Sequence, residues 1–388
     1  MFVPYARQSI SEEDIAAVAE VLRSDFLTQG PVVPNFENAI AKYCKSKHAV
    51  AMSSATSALH IACLALGVGP GDFVWTSPIS FVASANCALY CGAHVDFVDI
   101  DSKTFNMSID ALKNKLVTAK ASGTLPKVVI PVHLAGQSCD MAAMNKLAQE
   151  YDFKIIEDAS HAIGGSFQNN LVGSCAYSDV TVLSFHPVKI ITSGEGGMAL
   201  TNNSLLAESM SRLRTHGINR DPNLFSNSSD GPWYYEQIDL GFNYRLTDIA
   251  AALGLSQFQR LDGFVTRRNE IAQTYNTLFS GSNIATPIVP ADVVSAFHLY
   301  IIRIPLDRIQ KQEFFEIAHE SGIGLNVHYI PIYRQPYFAK MGFNPSDFKS
   351  SEKYYAEAIS IPMYVDLTLE QQQHVASVLI SAAASVTH

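Results

Sequence analysis

Residues 180–201 read VTVLSFHPVKIITSGEGGMALT. An apolar run ends in Ser184-Phe185-His186-Pro187, a lone Lys189 follows, and Gly194-Glu195-Gly196-Gly197 leads into a second apolar run. Short apolar runs bounded by Pro and Gly are the pattern of buried strands. A lone lysine usually sits on a solvated surface. One held between two such strands, next to a glycine-rich turn, calls for another explanation.

The same kind of run recurs upstream, at 48–52, 73–76, 94–98, 127–132 and 153–157, with 178–184 and 197–201 on either side of the lysine. Helical patterns fill most of the gaps, at 56–66, 81–90, 109–120 and 140–151. This alternation predicts a mainly parallel sheet covered by helices on both faces. Ser11-Glu12-Glu13-Asp14 opens an earlier helix, with an N-cap side chain and acids at the positive helix end. Residues 218–237, INRDPNLFSNSSDGPWYYEQ, predict a long polar loop. A helical pattern then runs from about 247 to 279, and beyond about 290 a smaller strand and helix mixture follows. The chain thus divides into a large domain over 1–245, with its N-terminal arm, and a connecting helix with a small C-terminal α/β domain over 246–388.

Bulk properties fit this division. A chain of 388 residues suits one large and one smaller domain. Its 48% apolar and 16% charged content suits a sizeable core and large subunit contacts. A net charge of −9 argues against nucleic acid as a partner but leaves room for a local anion pocket. The N-terminus lacks the basic and apolar segments of a signal peptide, and no run of about 18 apolar residues exists. No membrane association is expected, and the cytoplasm is the expected compartment. The six cysteines form no CxxC pair, and no histidine pair has zinc-finger spacing, so no metal site is expected.

In an open parallel sheet, ligands bind beyond the carboxyl ends of the strands. After the run 48–52 comes Ser53-Ser54-Ala55-Thr56-Ser57 and a helix, whose start is either a phosphate site or an ordinary cap. After 153–157 comes Asp158-Ala159-Ser160-His161, where the aspartate either holds a protonated ligand nitrogen or caps a turn. After 178–184 come Ser184, His186 and Lys189. Phosphate, ring nitrogen and aldehyde are the three handles of pyridoxal 5'-phosphate (PLP), and a lysine, an aspartate and a phosphate cradle are what would hold them.

Several segments in order, over nearly the whole chain, match one family. They are LTQGPVVPNFENAIAKYCKSKHAVAMSSATSALHIACLALGVGPGD (27–72), SFVASANCALYCGAHVDFVDID (80–101), VHLAGQSCDM (132–141), IIEDASHAIGG (155–165), SFHPVKIITSGEGGMALTNN (184–203), GFNYRLTDIAAALGLSQ (241–257) and NVHYIPIY (326–333). In these the chain resembles the DegT/DnrJ-type sugar-nucleotide aminotransferases. VPYARQSI, SPISFVASANC and SFHPVK are most similar to the branch that works in pseudaminic acid synthesis.

The resemblance implies a PLP-dependent transferase of fold type I, with a seven-stranded sheet in the large domain. It implies that Lys189 holds PLP and moves protons, and that Asp158 pairs with the pyridine nitrogen. Ala55, Thr56 and Ser184 are then at the phosphate, Phe81 against the ring, and His161 near the ring hydroxyl. Asn243 reaches the phosphate of the neighbouring subunit, so the expected assembly is a homodimer with shared sites. The implied sugar contacts are Tyr5, Phe26, Leu27, Thr28, Gln29, Ser54, Asn326, Val327, His328 and Tyr329. The implied reaction moves an amino group from L-glutamate, leaving 2-oxoglutarate, to C4 of a UDP-linked 4-keto-6-deoxy-N-acetylhexosamine. Related dehydratases carry histidine in place of the lysine, so Lys189 favours transamination. A non-catalytic PLP-fold regulator is disfavoured by Lys189, Asp158 and the phosphate-site residues together. A dTDP- or GDP-linked sugar, or a 3-keto sugar, stays open at this stage.

Overall fold

The computed structural model describes residues 2–387. Seven short strands build its central sheet: β1 (His48–Met52), β2 (Phe73–Thr76), β3 (His94–Phe97), β4 (Val128–Ile130), β5 (Lys154–Asp158), β6 (Val180–Ser184) and β7 (Gly197–Thr201). They lie in the order β1-β7-β6-β5-β4-β2-β3. The pairs β2–β3, β2–β4, β4–β5 and β5–β6 are parallel. Strand β7 alone runs against its neighbours β6 and β1. The cause lies in residues 185–196, which contain no helix. A link without a crossover helix brings the chain back antiparallel.

Strands β4, β6 and β7 are buried at every position, as expected for a sheet covered on both faces. Successive side chains alternate between the two faces. Val182 of β6 packs with the helices Ala55–Ala65, Ala83–Tyr90 and Ser204–Leu213, while Leu183 packs with Phe36 and Ile40 of the helix Val32–Cys44. The helices Ile109–Ser122 and Met141–Tyr151 cover the other strands through Leu112, Leu116 and Met144.

The helices Val32–Cys44 and Ser204–Leu213 are additions to the sequence reading. The first begins at Pro31 with no side-chain cap of its own. Its cap comes from far along the chain. Asp248, wholly buried, accepts from the N–H groups of Gly30 at 2.7 Å, Val32 at 2.8 Å and Val33 at 3.0 Å.

The helical pattern at 247–279 is two helices, Asp248–Phe258 and Leu261–Leu278. Arg260 leaves helical geometry between them, and its guanidinium binds the buried carboxylate of Asp14 and the carbonyl of Ser9. The second helix joins two cores. Phe264 and Val265 pack toward the large sheet, whereas Ile271, Tyr275 and Phe279 pack with β8 (Tyr300–Arg303), β9 (Ala358–Ile361) and the helices Arg308–Glu320 and Leu369–Val386. Val3 also belongs to this second core.

The segment 218–237 is an organised clasp rather than an irregular loop. Ile218–Asn219 pairs antiparallel with Glu236–Gln237. The Glu236 carboxylate gathers the N–H groups of Ser226 and Asn227 and the hydroxyl of Tyr234. Leu224, Trp233, Tyr235, Ile238 and Leu240 remain exposed on and beside the clasp. All six cysteines are free and buried. Among the described residues, no helix is long and apolar enough to cross a membrane.

Asp248→Ala is expected to lower unfolding stability by roughly 3 kcal/mol, because it strands N–H groups that a charged acceptor now satisfies. Urea unfolding followed by circular dichroism reads this directly. A loss below about 1 kcal/mol would show that water replaces the carboxylate at this helix start.

Candidate active site

A cavity of about 550 Å³ opens beyond the carboxyl ends of β1, β5 and β6. Ser53–Thr56 follow β1 into it, Asp158 ends β5, Ser184 ends β6, and Lys189 enters from the β6–β7 link. A larger recess of about 850 Å³ runs along the outer edge of β3 against residues 341–348. None of the residues singled out above lines that recess, so chemistry rather than size identifies the site.

The β6–β7 link closes on itself. The carbonyl of Phe185 accepts from Ser193 N–H and the Thr192 hydroxyl, each at 3.0 Å, and Phe185 N–H donates to Gly196 at 2.9 Å. Lys189 N–H donates to the His186 carbonyl at 2.9 Å, which fixes the turn carrying the lysine. Gly194 has φ +81°, a conformation that favours glycine. A Cβ on Gly197 would lie 2.3 Å from Ala55 N, so only glycine lets β7 start directly beneath the helix Ala55–Ala65. The first N–H groups of that helix, at Ala55 and Thr56, border the cavity and form an anion-binding end.

Lys189 is surrounded by protein but keeps part of its surface open to the cavity. Burial lowers its pKa from the ordinary lysine value to about 8, although the nearby Asp158 carboxylate pulls the other way. Asp158 is itself buried and hydrogen-bonded on both oxygens. Oδ1 accepts from Ser160 N–H at 3.1 Å and from the Ser160 hydroxyl at 2.6 Å, and Oδ2 accepts from the Ser84 hydroxyl at 2.6 Å.

His161 accepts from Ala135 N–H through Nδ1 at 3.3 Å, so its proton sits on Nε2, 3.1 Å from the Tyr329 hydroxyl. Burial, then the Lys189 charge, holds the His161 pKa well below the ordinary histidine value. The same causes hold His298 low and put His328 at about 4. Three histidines around this cavity are therefore neutral near pH 7. Lys189 is the only lysine or arginine among its lining residues.

Of the residues named from the resemblance, Tyr5, Ser54, Ala55, Thr56, Phe81, Asp158, His161, Ser184, Lys189, His328 and Tyr329 line this one cavity. Ser54 also caps its helix by accepting from Ser57 N–H at 3.1 Å. Asn326 and Val327 line a separate recess of about 740 Å³. Phe26 and Leu27 are exposed, Thr28 bridges to Thr247, and Gln29 adjoins them, all away from the cavity lining. Asn243 is exposed and bridges to Thr215, also outside the lining. The structure adds Ser80, Ser160, Glu195 and His298 to the lining. Ser160 was readable, since a hydroxyl two residues after an aspartate often closes a turn on it. His298 had no local signal.

A half-buried lysine of lowered basicity, a strand-end carboxylate and free helix N–H groups fit the aldehyde, ring nitrogen and phosphate of PLP.

The sequence pattern of the DegT/DnrJ/EryC1/StrS aminotransferase family matches residues 8–380. The spore coat polysaccharide biosynthesis protein SpsC of Bacillus subtilis (strain 168) is 38% identical over 373 residues, 95% of this chain and 93% of that one. The UDP-4-amino-4,6-dideoxy-N-acetyl-beta-L-altrosamine transaminase of Campylobacter jejuni (serotype O:23/36, strain 81-176) is 36% identical over 386 residues, 99% of this chain and 98% of that one. Among solved structures, the PLP form of the putative sugar aminotransferase Spr1654 from Streptococcus pneumoniae superposes with a TM-score of 0.91 at 27% identity, over 100% of both chains.

A lysine with a pKa near 8 is half neutral at that pH. The rate at which cofactor-free protein takes up PLP should therefore rise with pH and level off just above 8. Stopped-flow absorbance reads this rate. A midpoint near the ordinary lysine value of about 10.4 would show that Lys189 is solvated rather than buried.

Proposed function

The chain belongs to the DegT/DnrJ/EryC1/StrS aminotransferase family and is a PLP-dependent sugar-nucleotide aminotransferase; on that premise, we propose that it moves the amino group of L-glutamate to C4 of a UDP-linked 4-keto-6-deoxy-N-acetylhexosamine. The end-to-end likeness to the Campylobacter jejuni transaminase carries this choice of substrate. The reaction serves pseudaminic acid synthesis in the cytoplasm.

Bound PLP supplies a carbonyl that accepts the amino group and a ring that stores an electron pair. Lys189 would anchor it, Asp158 would keep its ring nitrogen protonated, and the helix start at Ala55 and Thr56, with Ser184, would hold its phosphate. Phe81, which lines the cavity, would pack against the ring. Lys189 Nζ would be the base that takes the Cα proton of glutamate, and on the second substrate it would be the acid that delivers a proton to C4 of the sugar. Its lowered basicity suits it to both tasks near neutral pH. Neutral His328, Tyr329 and Tyr5 orient the sugar without adding charge.

The enzyme works as a homodimer with shared sites. The exposed apolar side chains beside the clasp are the surface such a contact needs. Asn243, which follows that clasp and is exposed, reaches the partner's phosphate site.

Incubation with L-glutamate and the UDP-linked 4-keto sugar should give 2-oxoglutarate and a C4 amine, identified by NMR. Turnover only on a 3-keto or dTDP-linked sugar would replace the substrate assignment. Lys189→Ala should lose at least about a hundredfold in turnover while remaining folded. Mixing Lys189→Ala with Asn243→Ala should restore activity toward about a quarter of wild type for random pairing, because one site of each mixed dimer carries neither defect. No recovery, with mixed dimers confirmed by native mass spectrometry, would place Asn243 in its own subunit's site.

A further inference from the structure

The hydroxyls of Ser80 and Ser84 connect in series to Asp158. Ser80 Oγ is 2.7 Å from Ser84 Oγ, and Ser84 Oγ is 2.6 Å from Asp158 Oδ2. Both serines are buried, and they flank Phe81 across the start of the helix Ala83–Tyr90. Ser84 has a single proton and three candidate acceptors, the carboxylate at 2.6 Å, the Ser80 hydroxyl oxygen at 2.7 Å and the Phe81 carbonyl at 3.4 Å, of which only the first is charged. The shorter bond to a charged acceptor is the stronger. Ser84 therefore donates to Asp158, and Ser80 must then donate to Ser84. The chain of donors has one direction, and each bond polarises the next.

A carboxylate has about four acceptor positions, two on each oxygen. Ser160 occupies both on Oδ1 through its N–H and its hydroxyl, and Ser84 occupies one on Oδ2. One position remains, on Oδ2. We infer that Ser84 is a positioning residue for the cofactor: with Ser160 it leaves Asp158 a single open acceptor position, so that the pyridine nitrogen of PLP and the Ser84 hydroxyl share Oδ2. This rests on the reading of Asp158 as the partner of the ring nitrogen. On that basis the Ser80–Ser84 pair sets how firmly the ring nitrogen keeps its proton. Without the Ser84 donor, Oδ2 carries more uncompensated charge and competes harder for that proton.

The test loads the full-length protein with PLP isotope-labelled at the ring nitrogen and reads that nitrogen by NMR, with no sugar present. The wild-type signal should sit at the protonated position. In Ser84→Ala it should move toward the unprotonated position. Ser84→Thr, which keeps the hydroxyl, should return the signal toward the wild-type position. Ser80→Ala, one bond further back, should give a smaller shift in the same direction. A folded Ser84→Ala protein with the wild-type signal, or a shift the other way, overturns the assignment. If Ser84→Ala does not fold, an unmoved signal in Ser80→Ala overturns it. Wild-type protein that binds PLP with an unprotonated nitrogen would instead overturn the reading of Asp158 on which the inference stands.

Discussion

The start of the helix Ala55–Ala65 rests on the first residue of β7, and the site depends on that contact. Gly197 comes so close to Ala55 and the Ser54 carbonyl that no side chain fits between them. Because β7 lies between β1 and β6, this contact sets the helix end over the gap between the two parallel strands. The same gap receives the turn that carries Lys189. One backbone approach therefore brings the anion-binding helix end and the amine to a common cavity. The antiparallel course of β7 is part of the same arrangement, since only a short link without a helix leaves the lysine turn beside the strand ends.

Inside the cavity, burial and charge oppose each other, and burial prevails at Lys189. Desolvation is the larger effect and the Asp158 carboxylate the smaller, so the amine ends below its ordinary basicity. Surrounding it with neutral rather than charged imidazoles has a further effect. His161 and His328 hydrogen-bond Tyr329 and Ser360, and none of the three imidazoles competes for the anions that the helix end attracts. The fixed tautomer of His161 shows how backbone geometry, here the N–H of Ala135, decides which side-chain atom donates.

Much of this architecture was legible in the sequence because the strands are short apolar runs ended by turn residues. Lys189, Asp158 and Thr56 were legible as features that follow strand ends, and the resemblance supplied Phe81, His161 and Tyr329. Other parts depend on contacts distant in sequence. The helix Val32–Cys44 gets its cap from Asp248, so no local start signal exists. An apolar run does not encode its direction, which hid the reversal of β7. Around Asn326–Tyr329, neighbouring residues line different recesses, a division that only the packing of the second core makes visible. The donors to Asp158 were hidden for the same reason, since Ser84 meets it from another strand's connection.

The segment from Val3 to Tyr5 is woven into the molecule. Val3 N–H donates to Gly322 at 2.7 Å, its carbonyl accepts from Gly324 at 2.8 Å, and the Tyr5 carbonyl accepts from Met363 at 3.0 Å. Tyr5 thus reaches the cavity from a tether fastened to the second core. For protein engineering, the two termini are not equivalent. A bulky fusion ahead of Val3 would pull on the segment that presents Tyr5, whereas the chain's last described helix, Leu369–Val386, contributes no residue to the cavity and is the better place to attach an affinity handle or an immobilising surface.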